Sequence, residues 1–441
     1  MHRTSTIVAL ATNGLFAFTT IANAEIRTVC ASGCQYTSIN AAMAAASDGD
    51  VIQLSAETYA EGSVIDIGGK VITLRGVTDK NGDPASILDG GGTHRVLSCD
   101  TQEGEVVLLQ NLRIQNGYER AASGILAEGS GTLHMQDCTV TDCEAHDDLG
   151  GGLYLKESCI ATIEGCTFSG NAALFGGGIC KYSYGDFSLR DCVFSGNFGD
   201  LGGALWLERG GADTVTDCTF TDNSVAADFD YGSASDAARG GAVYIYGATD
   251  STIFEGCTFS GNQAEQGGGA IFCTVSQSHA VSFTNCTISG NTADYGGGFA
   301  LVLQASLGSS ETPVITFDGS TISGNTAVED GGGILAVGDG DRRFMELVLA
   351  DTAVDANSPN DITMDTRRDL EDQVLKITVV DTPVVAGDLD GDGDYDEDDI
   401  RLGMVDFGIS EASDCRGDVN GDGIVNAADL GIVIGVWGNC P

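Results

Sequence analysis

One short stretch constrains this chain more than any other: Cys166-Thr167-Phe168-Ser169-Gly170-Asn171, followed by Gly176-Gly177-Gly178-Ile179. It recurs. Cys192 begins Cys-Val-Phe-Ser-Gly-Asn, then Gly202-Gly203-Ala204-Leu205. Cys218 begins Cys-Thr-Phe-Thr-Asp-Asn, then Gly240-Gly241-Ala242-Val243. Cys257 and Cys286 open two more copies, and Ser320 takes the cysteine slot in another that closes at Gly331-Gly332-Gly333-Ile334. Cys138 opens a looser first copy with Cys143 in the asparagine slot, and residues 354–357 are a worn last copy without glycines. Successive starts lie 28, 26, 26, 39, 29 and 34 residues apart.

A period of this length marks a solenoid. The copies alternate as Cys-x-Phe, carry glycine pairs, and lack a helical period. The expected fold class is all-β: a right-handed single-stranded parallel β-helix, one coil per copy. Cys166 and Phe168 are two apart, so both face inward, and coils stack roughly 4.8 Å apart, setting like over like. The asparagine falls at the corner after the strand, where its side chain bonds its own turn and the next coil. The glycines suit the following corner, where φ is positive and backbones pack closely.

These residues carry a resemblance. The Phe-x-x-Asn and Gly-Gly-Ala/Gly-Ile pair, over roughly 138–357, resembles the repeats of polymorphic outer membrane proteins, a branch of the pectate-lyase-like β-helix superfamily. The resemblance implies a surface or secreted protein, an adhesin in some members. The wider superfamily adds polysaccharide lyases and hydrolases.

Residues 1–24 are expected to be a secretory signal, with His2 and Arg3, an apolar stretch over 7–18, and Ala22-Asn23-Ala24 as cleavage pattern. That implies a secreted, extracellular or cell-surface location. No stretch reaches the roughly 18 apolar residues of a membrane span. The solenoid is expected over 25–385. Residues 38–46 are alanine-rich and helix-forming. With Gly49-Asp50-Val51-Ile52 and Tyr59-x-Glu61 after them, they resemble the N-terminal cap of pectate-lyase-like β-helices, whose job is to cover open strand edges. Leu112 and Ile114 take the places that cysteine and phenylalanine take later. Between Asn223 and Gly240 one copy carries an extra loop with Asp228, Phe229, Asp230, Tyr231, Asp236 and Arg239, a composition suited to gripping sugar rings or to an idle surface excursion. Residues 304–313 form a second, polar extension.

The formal charge of −44 argues against nucleic acid and anionic membranes as partners. A monomer is expected. Fifteen cysteines would be odd in the cytosol, and with an odd total at least one stays unpaired within a monomer. The six at the repeat slot are best taken as buried free thiols. Cys30 and Cys34 are expected to form a local disulfide.

The sharpest chemical signal lies in residues 386–441. Asp388, Asp390, Asp392, Asp396 and Asp399 place oxygen donors at loop positions 1, 3, 5, 9 and 12, with Gly393 at position 6 and Asp394 at 7. Asp418, Asn420, Asp422, Asn426 and Asp429 repeat the spacing, with Gly423 at 6 and Ile424 giving its carbonyl at 7. Such spacing wraps hard oxygens round a calcium ion. The two loops, each with one short helix after it, resemble a type I dockerin. The resemblance implies two bound calcium ions and docking onto a cohesin-like module. The family's recognition positions fall at Glu397-Asp398 and Ala427-Ala428 rather than a Ser-Thr pair, a departure that bears on cohesin choice. Cys415 and Cys440 flank the second unit and are expected to pair. With fourteen acids against Arg401 and Arg416, the module's folding is expected to depend on calcium.

No catalytic residue is assigned. Arg209, Arg239, Lys156 and Lys181 are candidate bases, and Asp147, Asp148 and Glu208 candidate acids, each expected to be a solvated charge. Two readings result: a secreted binding or structural solenoid tethered by its tail, and a polysaccharide lyase or glycosidase delivered by it.

Overall fold

The structure, a computed structural model, describes residues 24–208, 210–226, 238–247, 251–275, 280–303, 313–337, 345–365 and 375–380. Residues 1–23 of the signal segment, most of the 224–239 loop, residues 304–312 of the polar extension and the whole 386–441 module lie outside these residues.

The chain coils around four flat faces, each a parallel sheet. One coil shows the plan. Ile160–Glu164 lies on the first face, Thr167–Ser169 on the second, Ala172–Phe175 on the third and Ile179–Ser183 on the fourth. The next coil repeats it 26 residues on, with Thr167 over Val193, Phe168 over Phe194 and Ser169 over Ser195. Among the described residues the four sheets hold 13, 11, 8 and 11 strands in that order. Their parallel ladders give every coil its hydrogen-bond partners above and below.

Side chains of one kind line up inside. Phe168, Phe194, Phe220 and Phe259 stack with ring centroids 5.1, 4.9 and 4.8 Å apart. Phe254, Phe283 and Phe317 form a second column on the first face, and Phe254 and Phe259 meet edge to face at 5.9 Å. Each such ring pair adds about 1 kcal/mol beyond its burial.

The corners are polar and repeat as strictly. Asn171, Asn197, Asn223, Asn262, Asn291 and Asn325 are fully buried. Asn197 donates from both N and Nδ2 to Asn223 Oδ1, at 3.0 and 2.9 Å. Asn223 Nδ2 in turn donates to Phe194 O and Asn262 Oδ1, each at 3.0 Å. The amides therefore saturate one another and the backbone where the ladder breaks at the corner. Asn357, in the worn last copy, joins the row by accepting from Asn325 N at 2.9 Å. Cys143 keeps its place in the row, its N–H donating to Asn171 Oδ1 at 3.1 Å.

The cysteine slot is more than a small apolar filler. Cys138 N donates to Cys166 Sγ at 3.4 Å, and Cys192 N to Cys218 Sγ at 3.4 Å. The thiols donate to the carbonyl two residues back, as Cys218 does to Thr216 at 3.2 Å. Ser320 takes the same two bonds, accepting from Cys286 N at 3.0 Å, and Thr352 continues the row by accepting from Ser320 N at 3.3 Å. The slot thus calls for a short side chain that both donates and accepts. The residue before it has positive φ in each coil from Cys138 to Thr352: Asp137, Gly165, Asp191, Asp217, Gly256, Asn285, Gly319 and Asp351. Only Gly, Asn and Asp enter that region at low cost.

At the glycine corner, Gly176, Gly202, Gly240, Gly268, Gly296 and Gly331 also have positive φ. The glycine after each is needed for a different reason. A Cβ on Gly241 would strike the Gly269 carbonyl of the next coil.

At the start, Ile39–Ala45 is a helix with Ser38 as N-cap, its hydroxyl accepting from Ala41 N at 3.2 Å. Ile39, Ala42 and Met43 are buried in the solenoid's core. Glu61 accepts from Ser38 Oγ and Ile39 N, each at 2.6 Å, tying the helix to the first coils. Cys30 and Cys34 form the expected disulfide. On the fourth face, Leu97–Thr101 is a strand whose Leu97, Cys99 and Thr101 alternate inward.

Three outcomes are expected. Asn223→Ala leaves the buried Asn197 N–H without its acceptor, which costs about 2 kcal/mol and lowers the denaturant midpoint. Gly241→Ala forces coils apart and abolishes cooperative folding, whereas Gly196→Ala, with open space around it at φ 60°, costs only about 1 kcal/mol. Comparative thermal melts separate the two. The third concerns alkali. Burial pushes the Cys143 thiol up to about 12 and Cys159 to about 11, and raises Cys99, Cys180 and Cys273 as well. Below the ordinary value of 9.0 both folded and unfolded chains are protonated and stability is full. Above it the unfolded chain sheds protons that the fold retains. Stability therefore falls between about pH 9 and 12, by about 1.4 kcal/mol per pH unit for each thiol. Urea midpoints measured from pH 8 to 11 check this, and a flat profile contradicts it.

Candidate functional site

The third face is shorter than the others. Its first strand is Tyr118–Glu119, whereas the second face already begins at Thr58–Tyr59. Gly90, Gly91 and Gly92 turn where an earlier third-face strand would lie, with Gly92 N donating to Asn116 O at 2.8 Å. A ledge results, and a cleft of about 430 Å³ opens on it. Its walls come from three coils: Asp89 with its glycines, Asn116 to Tyr118, and Asp142 with Glu144.

Asp89 ends the strand Ser86–Asp89 and accepts from Gly91 N at 2.8 Å, Gln115 Nε2 at 2.9 Å and Asn116 Nδ2 at 3.0 Å. Burial pushes its carboxyl up, but these donors outweigh that and hold it below the usual carboxylate value. Asp142 occupies a positive-φ corner and accepts from Thr141 Oγ1 at 3.1 Å. Tyr118 stacks on His146 at 4.9 Å. The cleft thus offers carboxylate acceptors beside an aromatic edge, a set suited to a hydroxylated or cationic ligand. Among the described residues no three His, Cys, Asp or Glu side chains stand close enough to hold a metal ion. Sequence reasoning missed this cleft because its residues lie in separate coils.

A second cluster lies outside the fourth face. Trp206 stacks on Tyr244 at 4.6 Å and Tyr244 on Phe272 at 5.1 Å, while Phe175 meets Trp206 edge-on at 4.7 Å. Trp206, Tyr244 and Phe272 spend their faces on one another and are almost fully buried, with Phe175 half-buried beside them. Burial raises the Tyr244 phenol. Leu-Trp-Leu, Val-Tyr-Ile and Ile-Phe-Cys in the outward slot were the legible signal. The extra loop is rooted beside this cluster, where Arg239 pairs by backbone with Leu201 and Gly267 and sets its guanidinium 5.0 Å from the Phe272 ring.

The candidate bases and acids are scattered. Lys156 bonds Glu128 at 2.9 Å on the fourth face, and Glu208 accepts from Trp206 Nε1 at 3.2 Å. Lys181 corrects the expectation of a solvated charge. It is fully buried in the bore, 3.0 Å from the equally buried Asp213 carboxylate, and donates to Gly210 O at 2.6 Å. Its burial was legible, since Ile179 and Lys181 share the inward phase of one strand. Asp148 lies on Glu144–Leu149, on the third face. Arg209 and the side chain of Asp147 lie outside the described residues. So do the calcium-loop residues Asp388, Asp390, Asp392, Asp394, Asp396, Asp399, Asp418, Asn420, Asp422, Ile424, Asn426 and Asp429, and the Cys415–Cys440 pair.

No curated protein matches the sequence. Among solved structures, the crystal structure of pectate lyase Pel9A is 13% identical, with 92% of this chain and 89% of that chain covered and a TM-score of 0.29. A likeness of that degree bears on neither activity nor substrate. Residues 96–344, more than half of the chain, match the family described as right handed beta helix region. With parallel coils, in-register columns and corner ladders along that same span, the chain belongs to the right-handed β-helix family.

Proposed function

We propose that the mature protein is an extracellular binding or structural rod, exported by residues 1–24 and tethered through residues 386–441. The observation that carries this reading is where the candidate charges are spent. Lys156, Lys181 and Arg239 each pair with a residue of another coil. They join coils, as a structural rod requires. The helix Ile39–Ala45 would serve as the N-terminal cap. No helix among the described residues is long and apolar enough to cross a membrane.

The repeats' likeness to polymorphic outer membrane proteins supports a surface role. In the tail, the donor spacing fits two calcium ions. Asp388, Asp390, Asp392, Asp396 and Asp399 would hold one, with the carbonyl of Asp394. Asp418, Asn420, Asp422, Asn426 and Asp429 would hold the other, with that of Ile424. A cohesin-like module is the proposed partner.

A second reading, degradation of an extracellular polysaccharide, is favoured by the cleft, where Asp89, Asp142 and Glu144 line one opening. Paired carboxylates are what glycosidases use.

The full mature chain, incubated with acidic and neutral glycans with and without calcium, distinguishes the two. Binding without product supports the rod. Unsaturated products by absorbance, or new reducing ends, establish the enzyme instead. For the tether, EGTA is expected to remove one unfolding transition and expose residues 386–441 to protease while the solenoid's transition stays. A tail that keeps its fold in EGTA rejects the calcium reading.

A further inference from the structure

Among the described residues, the bore of the solenoid holds a buried ion pair, Lys181 with Asp213, whose covalent chemistry neither reading above addresses. Lys181 stands in an inward column of the fourth face whose neighbours are Ala127, Leu155, Leu207, Ile245 and Cys273. Asp213 stands in the first-face column of Ala161, Phe187, Thr252 and Val281. Both side chains are at most 1% exposed, and Nζ lies 3.0 Å from Oδ1. Two ions placed this deep lose several kcal/mol of hydration each. Along the chain the coil that starts at Phe187 runs between them, and Lys181 reaches past Phe187 to the turn at Gly210.

We propose that Lys181 and Asp213 condense to an intramolecular amide, a covalent tie between coils. The step balances with no outside reagent. One proton passes from the ammonium to the carboxylate within the pair, giving amine and acid. The amine nitrogen then attacks Asp213 Cγ. The C–N bond forms, a C–O bond of the carboxyl breaks, and the departing oxygen leaves as one water with the acid proton and a second proton from nitrogen. The fold holds both partners in contact, which replaces the entropy cost of bringing them together. The product keeps one N–H on Nζ, and the Gly210 carbonyl that now accepts from Nζ at 2.6 Å is placed to receive it. The amide carries no charge, so the hydration lost by the ions ceases to oppose folding. It also closes a loop of more than one coil, which restricts the unfolded chain.

The test is the intact mass of the purified full chain, followed by proteolysis and peptide mapping under reducing conditions. The expected result is a chain lighter by one water than its sequence requires, and a branched peptide joining Lys181 to Asp213. Asp213→Asn is expected to yield the same branched peptide with loss of ammonia, and Lys181→Arg to yield none. Recovery of Lys181 and Asp213 in separate linear peptides at full yield overturns the proposal and leaves an ion pair only. A mass loss that maps elsewhere, as a cyclised Asp-Gly would give, overturns it too. Because the wild-type map alone decides, a Lys181→Arg chain that fails to fold does not blunt the test.

Discussion

Register between coils is the constraint on which everything else rests. In a parallel stack a residue meets its counterpart one coil away, so a slot that suits one coil must suit itself repeated. Phe168 over Phe194 over Phe220 is such a slot, and so is Asn197 over Asn223 over Asn262. A slip of one residue would turn each Phe to water and bring Thr167, Val193 and Thr219 inside. The asparagine row guards against that slip, because a buried amide displaced from its row loses several bonds together. Apolar columns supply the driving force, and the polar corners supply the uniqueness.

Much of this was legible because a solenoid converts three-dimensional contact into sequence period. The cysteine, phenylalanine, asparagine and glycine slots were all visible before any coordinates. Even the worn copy kept its place through Asn357, although Thr352 in the cysteine slot went unseen. What the period could not display is whatever happens once. Lys181 and Asp213 occur in single copies and sit in slots that other coils fill with Leu, Phe or Thr. The cleft arises where a sheet begins, and a beginning has no repeat. The division into four faces was hidden too. The third face's short strands, such as Ser224–Val225, carry little alternation of their own.

The cysteines show how one residue type answers to place. At the repeat corner the sulfur is a hydrogen-bonding element, interchangeable with the oxygen of Ser320 or Thr352. In the fourth-face column Cys273 stands in line with Leu207 and Leu301 as plain apolar filling. Cys30 and Cys34 instead pin a turn. A count of cysteines says little about redox role until each is assigned to its slot.

The ledge where the third face starts has a consequence for how any partner meets the rod. Over most of its length, a neighbour shifted by one coil finds nearly the same groups, so the shaft by itself is a scale without numerals. At Tyr118 the girth changes, and the sameness ends. That notch gives the shaft an address. A partner that seats there is fixed in distance from both ends and knows which way the chain runs.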